Sequence, residues 1–265
     1  MRGYVILAQN TNKINYINCA DALALSLKMA NPNANITLIS NDVSMCNAFD
    51  NVVELPYGDL APDSDWKLIN DWQVYEASPY DETIKLEADM IVNTDIDYLF
   101  DVLNIKDVCV CTTIRNYKQE ISESTYYRKF IVDNNLPNVY NAITYFKKSI
   151  FAEQFFNNVK FVFENWEEVI KNYVCNPNEI ATTDWVYSIV CDIMGIEKTT
   201  MPDIDGFSFV HMKPNINNLV HEDWTKELVY EMTYPLRIQK IPQLHIFHYH
   251  VKHFGKLFKD YYGRI

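Results

Sequence analysis

Short apolar runs alternate with longer amphipathic stretches along the first 92 residues of the chain. Each run is bounded by polar or turn-forming residues, which is typical of strands. The runs lie at residues 3–10, 36–39, 52–55 and 83–86. Residues 14–30 carry small and apolar side chains three and four positions apart, which predicts a helix that Asn31-Pro32-Asn33 ends. A second helix is predicted over 65–77, so strands and helices alternate as in a parallel α/β sheet.

The second half of the chain mixes strands and helices less regularly. Helices are predicted over 150–173 and 181–194 from their apolar periodicity. Strands are predicted over 108–112, 139–146, 207–211 and 244–251. No repeat, low-complexity segment or linker rich in Pro, Gly or Ser interrupts the sequence. We therefore expect one continuous α/β domain over residues 1–265.

The charge of the chain is strongly acidic but unevenly distributed. The formal net charge is −12, which argues against broad non-specific binding of nucleic acid or anionic membrane. The segment from Arg237 to Ile265 carries a net charge of +5, which leaves −17 on residues 1–236. A basic C-terminal tail on an acidic body suits a phosphate-bearing ligand or a polyanion. A solvated surface segment is the other interpretation.

The sequence lacks the signatures of several classes of protein. The six glycines form neither G-x-G-x-x-G nor G-x-x-x-x-G-K-[ST], and G-x-S-x-G does not occur, which argues against a dinucleotide fingerprint, a P-loop and that type of serine hydrolase. No apolar run approaches the roughly 18 residues of a transmembrane helix, and the start MRGYVILAQN lacks the features of a signal peptide. The six cysteines form no C-x-x-C pair, so we expect reduced thiols in an intracellular protein.

Two carboxylates, Glu87 and Asp89, stand at the end of the fourth predicted strand. In open parallel sheets, ligands bind outside the carboxyl ends of the strands. Residues two apart on extended backbone point to the same side, where like charges repel unless a cation lies between them. The pair therefore indicates a site for Mg²⁺ or Mn²⁺, and a nearby imidazole would favour Mn²⁺. An exposed strand end is the other interpretation. The acids that follow, Asp95, Asp97 and Asp101, are predicted to cap and solvate a short helix.

The segment EADMIVNTDIDYLFD, residues 87–101, resembles the D-x-D segment of glycogenin-like, retaining glycosyltransferases. Further segments are similar to that family in the same order along most of the chain. They are VILAQN (5–10), WKL (66–68), YNAI (140–143), TDW (183–185) and IFHY (246–249). The segments HMKP and IFHY also resemble uncharacterised glycosyltransferases of tailed-phage genomes. The resemblance implies a GT-A-type single Rossmann-like domain with a mostly parallel central sheet and a C-terminal basic tail. Residues 1–104 would form its nucleotide-binding half and residues 105–265 its sugar- and acceptor-binding half.

The resemblance also implies where a nucleotide-diphosphate sugar, above all a UDP-hexose such as UDP-glucose, would bind. Its donor-binding positions fall on Ala8, Asn10, Tyr16, Lys67, Glu87, Ala88, Lys252 and Lys256. Tyr16 would stack on uracil, and Lys252 or Lys256 would add positive charge against the diphosphate. Tyr16 could equally be a surface aromatic residue and Lys67 a solvated helix residue.

The family's metal ion, Mn²⁺ or Mg²⁺, would be held by Asp89, Glu87 and one histidine. His248 fits that role by its flanking residues, His250 fits by its spacing to a later lysine, and His211 is the third candidate. Glu87 departs from the family pattern, which has Asp at this position. Its longer side chain can still reach a metal.

Asn141 and Asp184 match the family's positions that orient the reacting sugar, and both are our candidates for a catalytic role. A buried asparagine in an apolar strand needs hydrogen-bond partners, which supports the match. Asp184 could instead cap a helix. Trp185 follows it where the family has Gln, which is a second departure.

The resemblance implies metal-dependent transfer of a sugar to an acceptor hydroxyl with retention. No strong nucleophile is evident, which fits a same-face transfer more than a double displacement. The acceptor could be a saccharide, a protein hydroxyl or a hydroxymethylated base in phage DNA. The basic, aromatic tail is the reason that DNA remains a candidate acceptor. The two departures also leave open a non-catalytic protein that binds sugar nucleotides. A metal-dependent phosphohydrolase would need further ligands at short spacing, which the sequence lacks. We expect a cytoplasmic location, in the host if the chain is phage-encoded, and no membrane partner.

Overall fold

The computed structural model describes residues 1–42, 47–123, 128–173, 180–201 and 206–263. The strands are β1 (Arg2–Leu7), β2 (Ile36–Ile39), β3 (Asn51–Val53), β4 (Glu82–Glu87), β5 (Met90–Ile91), β6 (Val108–Cys111), β7 (Thr113–Arg115), β8 (Tyr140–Lys147), β9 (Ser208–His211), β10 (Tyr230–Glu231), β11 (Arg237–Ile238), β12 (Ile241–Pro242) and β13 (Ile246–His248). The helices are α1 (Tyr16–Ala30), α2 (Val74–Ala77), α3 (Tyr98–Leu103), α4 (Lys129–Asp133), α5 (Ile150–Glu164), α6 (Trp166–Tyr173), α7 (Thr183–Met194), α8 (Ile196–Thr199), α9 (Pro214–Asn217) and α10 (His253–Tyr262), with 3₁₀ helices at Leu68–Gln73 and Trp224–Lys226.

The centre of the molecule is a six-stranded sheet in the order β3-β2-β1-β4-β8-β6. The strands β1, β2, β3 and β4 pair in parallel, whereas β8 runs antiparallel to both β4 and β6. Five of its six strands therefore run in one direction, which confirms the predicted α/β class with a mostly parallel sheet. A second sheet, in the order β5-β13-β9-β7, adjoins it through the short link between β4 and β5.

Two hydrophobic layers cover the two faces of the central sheet. Along β1, Tyr4 and Ile6 belong to the layer that contains α1 and α10, and Val5 belongs to the layer that contains α5 and α7. This alternation follows from the two-residue period of a strand, and it makes β1 apolar on both faces. The continuous apolar runs found in the sequence thus come from strands that are buried on both sides.

Two predicted helices differ from the structure at places where polar side chains bond to the backbone. The helix predicted over 150–173 is divided between α5 and α6 at Asn165, whose side-chain amide donates to the Phe161 carbonyl at 2.9 Å. Such a bond competes with the helix ladder. The helix predicted over 65–77 is a 3₁₀ helix followed by α2. The buried side chains of Asn70 and Gln73 bond there to neighbouring loops rather than facing solvent.

The acids after β5 hold α3 in place, but the predicted cap is wrong for Asp97, whose side chain makes no capping hydrogen bond to α3. Asp97 occupies the position before α3, and the Asp95 carboxylate accepts a hydrogen bond from the Asp97 N–H at 2.9 Å. The Asp97 carboxylate accepts from the Tyr4 hydroxyl at 2.5 Å. Asp101 pairs with Arg2 at 2.5 Å. These contacts fasten α3 to β1 at the edge of the sheet opposite the carboxyl ends of its parallel strands.

Much of the basic C-terminal tail is helix α10, which packs against α1. Phe254 and Phe258 are buried in that contact, and each contributes about 2 kcal/mol by its burial. Gly255 permits the close approach, because a Cβ atom there would lie 3.1 Å from the Cα atom of Cys19. Lys259 pairs with Asp21 of α1 at 2.5 Å. The sequence did not predict this helix, and the tail is an integral part of the fold.

Four cysteines in the described part of the chain are free thiols, and all four are buried. They are Cys19, Cys109, Cys111 and Cys191, and they agree with the expected reduced state. Cys46 and Cys175 lie outside the described residues. Among the described residues, no helix has the length and hydropathy of a membrane span.

Candidate active site

A cleft of about 660 Å³ opens at the carboxyl ends of β1 and β4. Leu7 and Glu87, the last residues of those strands, line it. Because β8 runs in the opposite direction, its first residues, Tyr140 and Asn141, reach the same edge. The start of α7 and the ends of β9 and β13 complete the walls. This is the edge at which ligands bind in open parallel sheets.

One wall of the cleft is a cluster of acids and histidines that strand pairing brings together. β5 pairs antiparallel with β13 so that His248 lies opposite Met90, next to Asp89. The Nε2 atom of His248 lies 2.8 Å from Asp89 Oδ2 and 3.7 Å from Glu87 Oε2. The ammonium of Lys252, just before α10, donates to the same Asp89 oxygen. The two predicted acids and the favoured histidine therefore lie in contact, although 159 positions separate Asp89 from His248.

The other two candidate histidines lie beside His248. β9 and β13 pair in parallel with His211 opposite His248, and their imidazole rings stack with centroids 4.6 Å apart and planes 14° apart. His250 follows the end of β13, and its ring centroid is 6.2 Å from that of His248. Donor atoms of Asp89, His248 and His250 all lie within 4.8 Å of one another.

Burial and mutual charge set the protonation of this cluster. Burial opposes ionisation of Asp89, but the charges of His248 and Lys252 and their hydrogen bonds outweigh it and hold the pKa of this carboxyl well below its usual range. Burial raises the pKa of Glu87. Burial together with the nearby cations lowers the pKa of His250 to about 3 and that of His211 well below its usual range. Asp89 is thus the firmly anionic group, and His211 and His250 are neutral imidazoles, the form that binds metal ions.

The opposite side of the cleft is built around Asp184. Thr182 caps α7, because its side chain accepts from the Trp185 N–H, so Asp184 is not the cap but lies in the first turn. One oxygen of its carboxylate accepts from the Asn141 backbone N–H at 3.0 Å, and the other accepts from Arg128 at 2.5 Å. The guanidinium of Arg128, which is 2% exposed, also lies over the Tyr140 ring at 4.3 Å. Asp184 and Asn141 are therefore held against each other at this side of the cleft.

A buried ion pair forms the floor between the two sides. The Lys85 ammonium lies 2.6 Å from Asp71 Oδ1 and 3.3 Å from the Asn141 carbonyl oxygen. The Tyr187 hydroxyl donates to the other Asp71 oxygen at 2.5 Å. Both charged side chains are almost fully buried yet line the cleft. The network joins β4, the 3₁₀ helix Leu68–Gln73, β8 and α7 beneath the site.

The predicted donor-binding residues divide into two groups. Tyr16, at the start of α1, lines the cleft with the Lys252 ammonium 5.5 Å from its ring centroid, and Ala88 also lines it. Lys67 lines the cleft, but its ammonium is paired with Asp59 and donates to two backbone carbonyl oxygens.

The remaining predicted residues, Ala8, Asn10 and Lys256, are not among the described residues that line the cleft. Ala8 is buried in the core. The Asn10 side chain accepts from the Ile17 N–H, and Lys256 pairs with Asp260 on the outer face of α10.

Sequence reasoning missed five charged residues that line the cleft. They are Asp65, Asp71, Lys85, Arg128 and Lys213. Lys85 carried a signal, because a lysine inside an otherwise apolar strand needs a buried partner. Lys213 belongs to the HMKP segment, and burial lowers its pKa. Arg128 follows no local pattern that would have identified it.

The donor set of the cluster fits a divalent metal ion. The ligand atoms of one carboxylate and two imidazoles converge within 4.8 Å, and the anionic Asp89 supplies the charge that such an ion requires. Oxygen ligands suit Mg²⁺ and Mn²⁺, and imidazole ligands shift the preference toward transition metals.

Neither protein-family models nor curated proteins match this chain. Several solved structures, in contrast, are similar to it. The apo structure of the bifunctional glycosyltransferase WbbM has a TM-score of 0.51 at 17% identity over 93% of this chain, which spans only 45% of that protein. The galactosyltransferase LgtC, in complex with donor and acceptor sugar analogs, has a TM-score of 0.53 at 12% identity, and the match covers all of this chain and 96% of LgtC. The structure of an active-site mutant of LgtC has a TM-score of 0.52 at the same identity of 12%. At such identities the likeness establishes the fold, and it confirms the GT-A-type α/β architecture.

Proposed function

We propose that this chain is a metal-dependent glycosyltransferase that moves a sugar from a nucleotide-diphosphate sugar, above all a UDP-hexose, to an acceptor hydroxyl with retention. The observation that carries the proposal is one cleft with two unlike sides. Asp89, His248 and Lys252 line one side, and Asn141 and Asp184 line the other. The fold, shared with LgtC whose structure contains donor and acceptor sugar analogs, supports this assignment.

We propose that residues 1–104 bind the nucleotide and residues 105–265 bind the sugar and the acceptor, within one domain. The first half supplies Tyr16 and the two acids of the cluster. The second half supplies Asn141 and Asp184, and it returns Lys252 to the nucleotide side through β13. This division resembles that of glycogenin-like enzymes, and it makes the boundary between the halves the place of reaction.

The donor would bind with its base on the Tyr16 ring and its diphosphate at the acid-histidine cluster. The Lys252 ammonium lies between these two features, since it contacts Asp89 and stands over Tyr16. A lysine in this position offers a point charge to a phosphate oxygen. A divalent ion held by Asp89 and His248 would neutralise the negative charge that develops on the departing diphosphate.

The sugar would bind against Asn141 and Asp184. The Asn141 side-chain amide is buried and its nitrogen has no hydrogen-bond partner within the described ranges. A buried donor without a partner costs about 1–3 kcal/mol, so a sugar hydroxyl that accepts from it would recover that energy. The remaining lone pairs of the Asp184 carboxylate would accept from a neighbouring sugar hydroxyl.

For a retaining transfer, the same-face route is favoured over double displacement because the carboxylate on the sugar side is a poor nucleophile. Asp184 shares its charge with Arg128 and with the Asn141 N–H. Hydrogen bonds and an ion pair of this kind stabilise the anion, which weakens its attack on carbon. Transfer on the same face of the sugar, with the acceptor oxygen entering beside the leaving diphosphate, needs no enzyme nucleophile.

We favour a saccharide as acceptor over a hydroxymethylated base in phage DNA. Three lysines of the basic tail form ion pairs within the protein, Lys252 with Asp89, Lys256 with Asp260 and Lys259 with Asp21. Charges neutralised in this way contribute less to the phosphate contacts that DNA binding needs.

The test is release of free nucleotide diphosphate from UDP-, GDP- and TDP-hexoses in the presence of Mn²⁺. We expect one nucleotide class to be turned over, and Asp89→Ala to abolish release. Asp192→Ala, on the exposed outer face of α7, is the matched control and should retain full activity. Full activity in Asp89→Ala would contradict the proposal. Binding of the sugar nucleotide without release would instead favour the non-catalytic, sugar-nucleotide-binding alternative.

A further inference from the structure

We propose that the metal site of this chain is completed by His250 and not by Glu87, so that one carboxylate, Asp89, and two imidazoles, His248 and His250, hold the ion. The inference rests on the proposed metal site and specifies its ligands. It departs from the acid-pair arrangement that the sequence suggested, in which Glu87 and Asp89 both ligate.

The positions of the donor atoms carry the proposal. Among the described residues, Asp89, His248 and His250 are the one set of three acid, histidine or cysteine side chains whose ligand atoms all lie within 4.8 Å of one another. Glu87 approaches His248 at 3.7 Å but does not belong to that set. A single ion can therefore reach all three members of the set with small side-chain adjustments, whereas Glu87 lies outside the set.

The backbone at His250 is a second, independent observation. Its φ angle is +60°, which is uncommon for a residue with a side chain. The Val251 N–H donates to the Tyr249 carbonyl at 2.6 Å, so His250 is the central residue of a three-residue turn with positive φ, the rarer and strained form of the γ-turn.

Neighbouring contacts hold this turn in place. The Trp224 indole N–H donates to the Tyr249 carbonyl at 2.8 Å, and the Tyr249 N–H donates to the Asp89 carbonyl at 3.2 Å. Strain that surrounding structure maintains tends to occur at functional sites. Here it ends β13 early and directs His250 into the cleft beside Asp89.

The chemistry of the donor set predicts which ions bind. Imidazole nitrogen favours Mn²⁺, Co²⁺, Ni²⁺ and Zn²⁺, whereas Mg²⁺ prefers oxygen ligands and retains its water shell. A site with two imidazoles and one carboxylate should therefore discriminate against Mg²⁺ more strongly than an acid pair with one histidine would.

Direct metal titration of the full chain, without any sugar nucleotide, tests the proposal. We expect calorimetry to give tighter binding of Mn²⁺ and Co²⁺ than of Mg²⁺. His250→Ala should weaken Mn²⁺ binding by about tenfold or more, whereas Glu87→Gln should change it by only about threefold or less, because it removes a charge but no ligand. His221→Ala, an exposed histidine away from the cleft, is the matched control.

Pulsed electron paramagnetic resonance of bound Mn²⁺ counts the ligating nitrogens. Two imidazole couplings are expected in the unaltered chain and one in His250→Ala. The proposal would be overturned if the unaltered chain showed only one coupling and His250→Ala kept it. It would also be overturned if Glu87→Gln lost as much Mn²⁺ affinity as His250→Ala, or if the chain did not bind Mn²⁺. Nucleotide release measured with and without a chelator separates this result from the proposed function. Nucleotide release that resists the chelator would support sugar transfer by this chain and contradict the metal site.

Discussion

Lys252 donates a hydrogen bond to the carboxylate oxygen of Asp89 that His248 also contacts. An ammonium group thus stands where a divalent ion would neutralise the same acid. Burial alone would lower the pKa of Lys252, but Asp89 and Tyr16 raise it above its usual value, so the group is firmly cationic. Lysine and metal therefore compete for Asp89, and a bound ion would release Lys252 toward the diphosphate.

The first prediction follows from that competition. Lys252→Met keeps the length of the side chain and removes its charge, so Mn²⁺ binding without nucleotide should tighten. A charge-assisted hydrogen bond is worth about 1.5–3 kcal/mol, which corresponds to a gain of about tenfold or more. Affinity for the free nucleotide diphosphate should fall in the same variant. Lys256→Met, on the exposed side of α10, is the control, and weaker Mn²⁺ binding in Lys252→Met would contradict the competition.

Arg128 is predicted to be a positioning residue for Asp184. Arg128→Lys keeps the charge but loses the planar fork that bonds Asp184, Asn138 and the Val139 carbonyl together. We expect kcat for nucleotide release to fall by about tenfold or more with little change in KM, because the sugar would still bind but in poorer alignment. Lys129→Gln, at the exposed neighbouring position, should leave both constants unchanged. An equal rise in KM with unchanged kcat would assign Arg128 to binding instead.

These residues mark the limit of what the sequence could predict. Asp89 could be predicted from the sequence because an acid pair directly after an apolar run is a local pattern. Asn141 could be predicted because an amide within an apolar strand needs hydrogen-bond partners. His248 required the resemblance to a family, since only the pairing of β5 with β13 brings it to Asp89. The γ-turn at His250 and the position of Arg128 depend on contacts between segments far apart in the chain, which no local pattern encodes.

The buried pair of Lys85 and Asp71 should be strongly coupled in stability. Lys85→Met leaves Asp71 as a buried anion whose remaining partner is the Tyr187 hydroxyl, and such a loss costs about 3–5 kcal/mol. The double variant Lys85→Met/Asp71→Asn removes both charges and should be more stable than Lys85→Met alone. Urea unfolding monitored by circular dichroism measures both. A double variant less stable than Lys85→Met would show that the pair is not coupled in this way.

The described cysteines should resist alkylation in the folded protein. Burial raises the pKa of Cys19, Cys111 and Cys191 to about 12, so at pH 8 only about one thiol in ten thousand is the reactive thiolate. The thiolate fraction grows only as the pH approaches 12, and the thiols are also sterically covered. Iodoacetamide followed by peptide mass spectrometry should label these positions only after unfolding in urea. Rapid labelling of Cys191 at pH 8 without denaturant would contradict the buried arrangement.

Gly255 should be essential for docking α10 on α1. Alanine normally stabilises a helix interior by about 1 kcal/mol relative to glycine. Here its Cβ would lie 2.4 Å from the Tyr249 hydroxyl oxygen and 3.1 Å from the Cys19 Cα atom, so Gly255→Ala should destabilise the protein. Tyr249→Phe removes the closer of these two atoms, and the double variant should therefore be more stable than Gly255→Ala alone. Thermal unfolding of the single and double variants measures the difference, and a stabilised Gly255→Ala would mean that the two helices do not approach this closely.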